Sequence, residues 1–506
     1  MAFTPHGVNP AHFAGAAPFN SCQGHNDERS IARILLDNFQ ALDKLRIEGK
    51  VRKTALDEAA KAILCHFHEL GRHCFECPVC HRTTFVYNTC HGRLCASCGA
   101  KAQRLLAASA SAICVDCDHR HIVFTIPEEY RVLSRIDRAL LNLMYIAARN
   151  TICILANPKK YEKLLKKARK TGKSVYDCNG GIYLFANDPT ARVPGMIACL
   201  HTFGRDLKRN PHIHACVAEM LWDPGKERHR PFQHIDFKGL RMHWQRKLNE
   251  LMTLHFGSAP VSVDGMFIAQ FGKSNPTYGR HPNGYYVYAA YGAGIEPEDF
   301  QGGNGGKRTE RGKDEQGSTA QCISYIIRYS SRPAISEGRI TSYDKTAGTV
   351  TYYYDDHADG QRKPVTMGSL DFCRQVLLHI PDKGFKMVRH YGFYHQKCTA
   401  KLDMLNESLG KTGRRKRNRF QRSAARAAGR GNASYRPLCI RVFGRDPLKC
   451  KCGTEMERVF SDIPKNTMAT RERRVYAIIN EGREREFRAM QPRREQQTLF
   501  GERARC

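Results

Sequence analysis

The chain has 506 residues, 41% of them hydrophobic, enough for several cores, and no run of about 18 apolar residues of the kind that spans a bilayer. Lysine and arginine total 81 against 49 acids, a formal net charge of +32. Such an excess opposes compaction unless a polyanion neutralises it, so the expected partner is nucleic acid rather than a membrane. The 21 cysteines accompany an N-terminus without a basic region followed by a long apolar stretch. A cytoplasmic chain with metal sites or buried thiols is therefore expected, rather than a secreted disulfide framework.

Residues 1–25 are dotted with proline and glycine and read as a disordered tail. Residues 26–72 follow as a helical segment, with Ile31, Ile34, Leu35 and Phe39 on one face. A cysteine-rich module occupies 73–110 and ends in the helical stretch "AKAQRLLAASASAI". "HRHIVFTIPEEY" (119–130) reads as a buried strand stopped by its proline, and residues 131–156 as one long helix. "GMIACLHTFGRDLKRNPHIHACVAEML" (195–221) reads as strand, loop, strand. Residues 240–256 are helical, and "GYYVYAAYGAG" (284–294) is a strand with alternating aromatics. The segment 300–318 is almost devoid of apolar residues and reads as a flexible insertion.

A helix over 319–332 ends near Pro333, and a pair of hairpin turns follows. Residues 401–434 form a basic linker, whose core, 411–430, holds nine basic residues and no acid. A basic C-terminal segment spans 435–506. Helices and strands interleave without βαβ regularity, so the fold class is α+β around an antiparallel sheet.

Two Cys-x-x-Cys pairs, Cys77/Cys80 and Cys95/Cys98, stand 14 residues apart. Each pair can present two thiolates from one tight turn, and the two together complete a tetrahedral structural zinc site. Cys74, Cys90, His73 and His91 stand close enough in sequence to substitute for one of the four. Cys450 and Cys452 make half of a second site, with Cys439 or Cys398 as possible helpers.

His212 and His214 are separated by one residue, so on a strand they share a face while Ile213 turns to the other. That is a two-point grip for a divalent cation, although two histidines on an ordinary strand are the commoner case. Tyr325 and Tyr329 lie four apart on the 319–332 helix, hence on one helical face, flanked by Arg328 and Arg332. Alone, such a pair is usually packing. Beside a histidine grip, a zinc module and a strong positive charge, it fits attack on a DNA phosphodiester, the cation polarising the phosphate.

"HTFGRDLKRNPHIHACV", "YIIRYSSRPAISEGRI", "HIPDKGFKMVRHYGFY" and "YNTCHGRLCASC" resemble, in this order from about residue 65 to 456, the two-tyrosine HUH transposases of rolling-circle insertion sequences. The resemblance implies an HUH nuclease-type central antiparallel sheet over 115–400, with "HIVFTIP" as a strand adjacent to the histidine strand. It implies Mg²⁺ or Mn²⁺ on His212 and His214, Tyr325 and Tyr329 as nucleophiles forming a 5′-phosphotyrosine, and structural Zn²⁺ in the N-terminal module. The expected substrates are single-stranded transposon ends and target DNA. Arg328, Arg332, Arg414, Arg415, Lys416 and Arg417 are the expected DNA contacts. A third ligand to the catalytic cation is expected, with His201 and Asp206 the nearest candidates. A rolling-circle replication initiator or relaxase would use the same site, though no helicase-type phosphate loop accompanies it. A non-catalytic zinc-ribbon DNA-binding protein would leave the histidine and tyrosine motifs without a role.

Overall fold

The computed structural model describes residues 29–67, 70–115, 117–232, 235–263, 266–290, 323, 326–328, 330–356, 360–409, 446 and 448–480. Residues 1–25, the insertion 300–318, Tyr325, Tyr329 and the basic run containing Arg414, Arg415, Lys416 and Arg417 lie outside the described residues.

The chain opens with three helices, α1 (Ile31–Asp37), α2 (Phe39–Ile47) and α3 (Lys53–Ile63). Ser30 caps α1 by accepting from the Arg33 amide. A hairpin of β1 (Arg72–Glu76) and β2 (Thr83–Tyr87) leads into α4 (Ala96–Ala112). Strand β3 (His119–Thr125) then enters the central sheet.

The long helix expected over 131–156 is two helices, α5 (Glu128–Ile136) and α6 (Ala139–Ala156). Asp137 adopts an extended backbone between them, and its carboxylate accepts from the Ala139 amide at 2.8 Å. Short aspartate side chains favour this local bond over continued helix. Helix α6 is long and apolar enough to cross a membrane by composition alone, but most of it is buried inside the protein. Helices α7 (Pro158–Thr171) and α8 (Val175–Asn179) follow.

Next come the two longest strands, β4 (Val193–Phe203) and β5 (Arg209–Asp223), then β6 (Arg228–Pro231) and α9 (Phe237–Phe256). A small hairpin, β7 (Val261–Val263) and β8 (Met266–Ala269), the turn of helix α10 (Pro276–Gly279) and strand β9 (Val287–Ala290) complete this half. A second sheet of β10 (Ile340–Asp344), β11 (Thr349–Asp355) and β12 (Arg362–Gly368) precedes α11 (Ser369–Leu378). Strand β13 (Val388–Gly392) returns to the central sheet, followed by α12 (Thr399–Ser408), β14 (Glu457–Asp462) and α13 (Met468–Asn480).

The central sheet runs β13-β4-β5-β3-β9, with β6 on the far end of β5, and every pairing is antiparallel. Strand β5 is therefore interior. One face presents Phe124, Leu200, Ile213 and Ala215 to a core shared with Met144, Trp244 and Leu248 of α6 and α9. The opposite face presents Ile197, Cys199, Cys216 and Ala218 to Ile323, Ile326, Ile327, Phe393 and Leu405. Strand alternation divides the two sets.

"HYGFY" closes this second layer. Gly392 holds φ at +62°, and a Cβ there would lie 1.5 Å from the Pro194 carbonyl oxygen, so only glycine lets β13 approach β4. A further core joins α1–α3 with β10–β12, α11 and α13. The N-terminal helices and the C-terminal helix thus pack together, although the sequence reading kept them as separate segments.

Candidate functional site

Register decides which side chains meet. His201 of β4 lies opposite His212 of β5, and Cys199 opposite His214. Directly opposed residues of an antiparallel pair share a face, so His201 joins the two histidines of β5. A ligand nitrogen from each of His201, His212 and His214 lies within 4.8 Å of the others. Asp206, the other candidate third ligand, sits in the β4–β5 turn with its carboxylate on the Lys208 amide. It is not part of the histidine group.

Hydrogen bonds fix the tautomers. His201 Nε2 lies 2.9 Å from the Ile326 carbonyl oxygen and His212 Nδ1 lies 2.7 Å from that of Asn210. A carbonyl only accepts, so these two nitrogens carry the protons, leaving lone pairs on His201 Nδ1 and His212 Nε2. His214 Nδ1 lies 2.8 Å from Nε2 of His121 on β3, and the two rings stack at 5.0 Å between centroids. If His214 Nδ1 donates to His121, the lone pair of His214 falls on Nε2. His121 then orients a ligand, the outer-shell role common around metal-bound histidine.

Burial keeps these rings neutral. Desolvation, with the neighbouring imidazoles, holds His201 and His214 well below the ordinary imidazole value. It lowers His121 and His212 to about 4. Neutral imidazole is the form that binds a cation. The donors are all nitrogen, which suits Mn²⁺ better than Mg²⁺, because Mg²⁺ prefers oxygen ligands.

The segment that covers the cluster includes residues 326–328 and 330–331, which are helical. Ile326 and Ile327 bury themselves on the histidine-bearing face, and Arg328 and Arg332 are half-buried. The end of this segment rests on α4. A Cβ on Gly99 would stand 2.7 Å from the Ser331 carbonyl oxygen, and half-buried Arg93 donates from Nε to the Arg332 carbonyl at 3.1 Å. On the edge of the sheet, Tyr286 and Tyr288 expose their rings. Tyr288 meets His121 edge-on at 6.4 Å.

The four cysteines expected to form one zinc site do not come together. Cys95 and Cys98 join Cys65 and Cys90, whereas Cys77 and Cys80 join Cys450 and Cys452. In the first cluster the Sγ atoms stand 3.5 Å (Cys65–Cys95), 3.6 Å (Cys90–Cys98) and 3.7 Å (Cys65–Cys98) apart. A tetrahedron with Zn–S bonds of about 2.3 Å has edges of about 3.8 Å. A disulfide, at about 2.05 Å, is far shorter. Amides of Cys90 and Gly92 point at the sulfurs of Cys65 and Cys90.

Hydrogen bonds from its three neighbours drive the Cys98 thiol well below its ordinary value, while Cys65 and Cys95 are pushed up. Cys65 was outside the expected ligand set, and Cys450 and Cys452, expected as half of a second site with Cys439 or Cys398, meet Cys77 and Cys80 instead, Cys439 lying outside the described residues. Cys65 sits in "ILCHFHEL" with no partner at knuckle spacing, so the sequence offered no signal for it. His73, proposed as a substitute, bonds to Ser461 instead.

Residues 31–126 match the transposase zinc-binding domain, and residues 195–258 and 311–401 match a family described as putative transposase. The chain is 24% identical over 416 residues to the transposase for insertion sequence element IS801 of Pseudomonas savastanoi pv. phaseolicola, covering 81% of this chain and 84% of that protein. It is also 24% identical over 373 residues to putative transposase y4qJ of Sinorhizobium fredii (strain NBRC 101917 / NGR234), covering 71% and 82%. No solved structure matches. The zinc-binding match contains the first cysteine cluster entire but only half of the second.

Proposed function

A chain that joins a transposase zinc-binding domain to a transposase domain is a transposase of the insertion-sequence type, and from that premise we propose that it nicks and rejoins single-stranded DNA through a tyrosine. A divalent cation on His201, His212 and His214 supplies charge stabilisation at the scissile phosphate. The phenolic oxygen of Tyr325 or Tyr329 bonds to phosphorus, the bond to the 3′ oxygen breaks, and a 5′-phosphotyrosine and a free 3′-hydroxyl result. Two such tyrosines permit two successive transfers.

The observation that carries this reading is the bond from His201 to the carbonyl of Ile326. It ties the histidine cluster to the residue that follows Tyr325 in the chain. The sheet, packed on its other face against α6 and α9, holds the histidines rigidly. The exposed rings of Tyr286 and Tyr288 offer stacking faces for bases beside the cluster. Cys65, Cys90, Cys95 and Cys98 hold structural zinc, which fixes the start of α4 under residues 331–332.

The test is incubation of the full chain with a single-stranded oligonucleotide carrying a transposon end, with Mn²⁺ or Mg²⁺, followed by a denaturing gel. A covalent protein–DNA band is expected from the wild type. Tyr325→Phe with Tyr329→Phe should remove it while DNA binding persists. An undiminished band from that double variant would refute the reading.

A further inference from the structure

We propose that Cys77, Cys80, Cys450 and Cys452 form a second zinc site, separate from the cluster inside the N-terminal domain, which clasps the C-terminal segment onto that domain. The four thiols belong to two tight turns 370 residues apart. The first turn closes with His81 donating to the Cys77 carbonyl at 3.0 Å and Cys77 donating to Arg82 at 2.9 Å. The second closes with Gly453 donating to Cys450 at 2.9 Å and Cys450 donating to Thr454 at 2.8 Å. Each turn thus presents a pair of sulfurs in the same manner, and across the gap Cys77 lies 3.5 Å from Cys452 and Cys80 lies 3.4 Å from Cys450. These separations suit the edges of a zinc–thiolate tetrahedron.

The strands repeat the arrangement. β14 pairs with β1 from Arg72↔Asp462 to Glu76↔Glu457, and β1 pairs with β2, giving a three-stranded sheet with a sulfur turn at either side. This is a zinc ribbon assembled from the two ends of the chain. Its apolar content is small: Cys77, Cys450 and Met456 are buried, with Phe75 against them. So small a core cannot hold three strands by itself, and units of this size draw their stability from a metal. Burial does not explain the thiols either, because Cys80 and Cys452 are exposed.

Beyond β14, α13 is anchored separately. Arg471 pairs with Asp57 at 2.6 Å, Tyr476 bonds Asp43 at 2.6 Å, and Val475 and Ile478 enter the core of α1–α3. Losing the metal should therefore free the ribbon and leave the helix docked. The proposal does not depend on the nuclease reading, since none of these residues touches the histidine cluster.

Zinc analysis of the full-length protein tests it. The wild type should hold two zinc ions per chain, one for each cysteine cluster. Cys450→Ser/Cys452→Ser should hold one, Cys77→Ser/Cys80→Ser one, and the quadruple variant still one. An undiminished zinc content in Cys450→Ser/Cys452→Ser would overturn the proposal. A readout on the wild type stands even where the variants fail to fold: iodoacetamide labelling with mass-spectrometric mapping, before and after chelation. Cys77, Cys80, Cys450 and Cys452 should be protected together and become reactive together. Labelling of Cys450 and Cys452 at a rate unaffected by zinc removal would equally overturn it.

Discussion

The imidazole of His201 donates a 2.9 Å hydrogen bond to the main-chain carbonyl of Ile326, so a cation-ligand candidate on β4 and the backbone of the helical segment above it are held as one unit. Three substitutions follow. His201→Ala, His212→Ala and His214→Ala should each lower cation-dependent cleavage by about 10²–10³-fold, the usual loss when one transition-state charge stabiliser is removed. Affinity for single-stranded DNA should change little, because the lost interaction belongs to the transition state. A cation titration should also show Mn²⁺ supporting cleavage at lower concentration than Mg²⁺, as an all-nitrogen donor set requires. Full cleavage by His201→Ala would exclude it as a ligand.

Gly99 carries a second prediction. Its Cβ would lie 2.7 Å from the Ser331 carbonyl oxygen and 3.1 Å from the Arg332 Cα, both backbone atoms that cannot rotate away. Gly99→Ala should destabilise the protein by about 1–3 kcal/mol, the usual cost of overpacking, and reduce covalent adduct formation. Its zinc content should stay at the wild-type level. An unchanged melting temperature would show that α4 and residues 331–332 are not in tight contact.

Acid should weaken the fold through two histidines away from the cation cluster. His379, buried and bonded to the Leu207 carbonyl, is lowered to about 3 by desolvation. His119, half-buried between the Cys117 carbonyl and the Tyr394 hydroxyl, is lowered to about 4 by the same cause. An unfolded histidine titrates near 6.5. Between those values the unfolded chain binds protons that the folded one refuses, so stability is complete above about pH 6.5 and declines as the pH falls. At about pH 5 each should account for roughly 2 kcal/mol. Thermal melts of wild type and His379→Gln, taken at pH 7 and pH 5, check this. The variant should lose less stability than the wild type between the two.

Single-stranded DNA affinity should separate into two parts. Tyr288→Ala should cost about 1–3 kcal/mol, the range for one base stacked on an aromatic ring, without altering the salt dependence. Deleting residues 411–430 should instead flatten the slope of log affinity against log salt, since each phosphate contact contributes about 0.7 to it. Binding titrations over a salt series measure both effects. Equal slopes with and without 411–430 would make the run a bystander.

What the sequence determined by itself is whatever follows from short-range geometry. Side chains alternate along a strand, so His212 and His214 share a face wherever that strand lies. Two apolar positions of "SYIIRY", Ile326 and Ile327, sit where a helix can bury them. Two thiols in a Cys-x-x-Cys turn can reach one ion, which made zinc chemistry legible before any fold was known. The antiparallel α+β class was legible as well, because helices and strands interleave in the sequence without βαβ regularity.

Tertiary structure decided which of these local pieces meet. His201 reaches the cluster only because the β4–β5 register sets it opposite His212, and His121 only because β3 flanks β5. Spacing along the chain suggested that Cys77/Cys80 and Cys95/Cys98 were one site, since 14 residues is an ordinary loop between two knuckles. The fold instead runs β14 alongside β1, giving each pair a different partner, and one of those partners comes from the opposite end of the chain. A tetrahedral site needs two pairs of sulfurs about 3.8 Å apart, and sequence proximity is only one way to obtain them. Strand pairing is another, and its hydrogen bonds form between whichever edges the packed cores bring together.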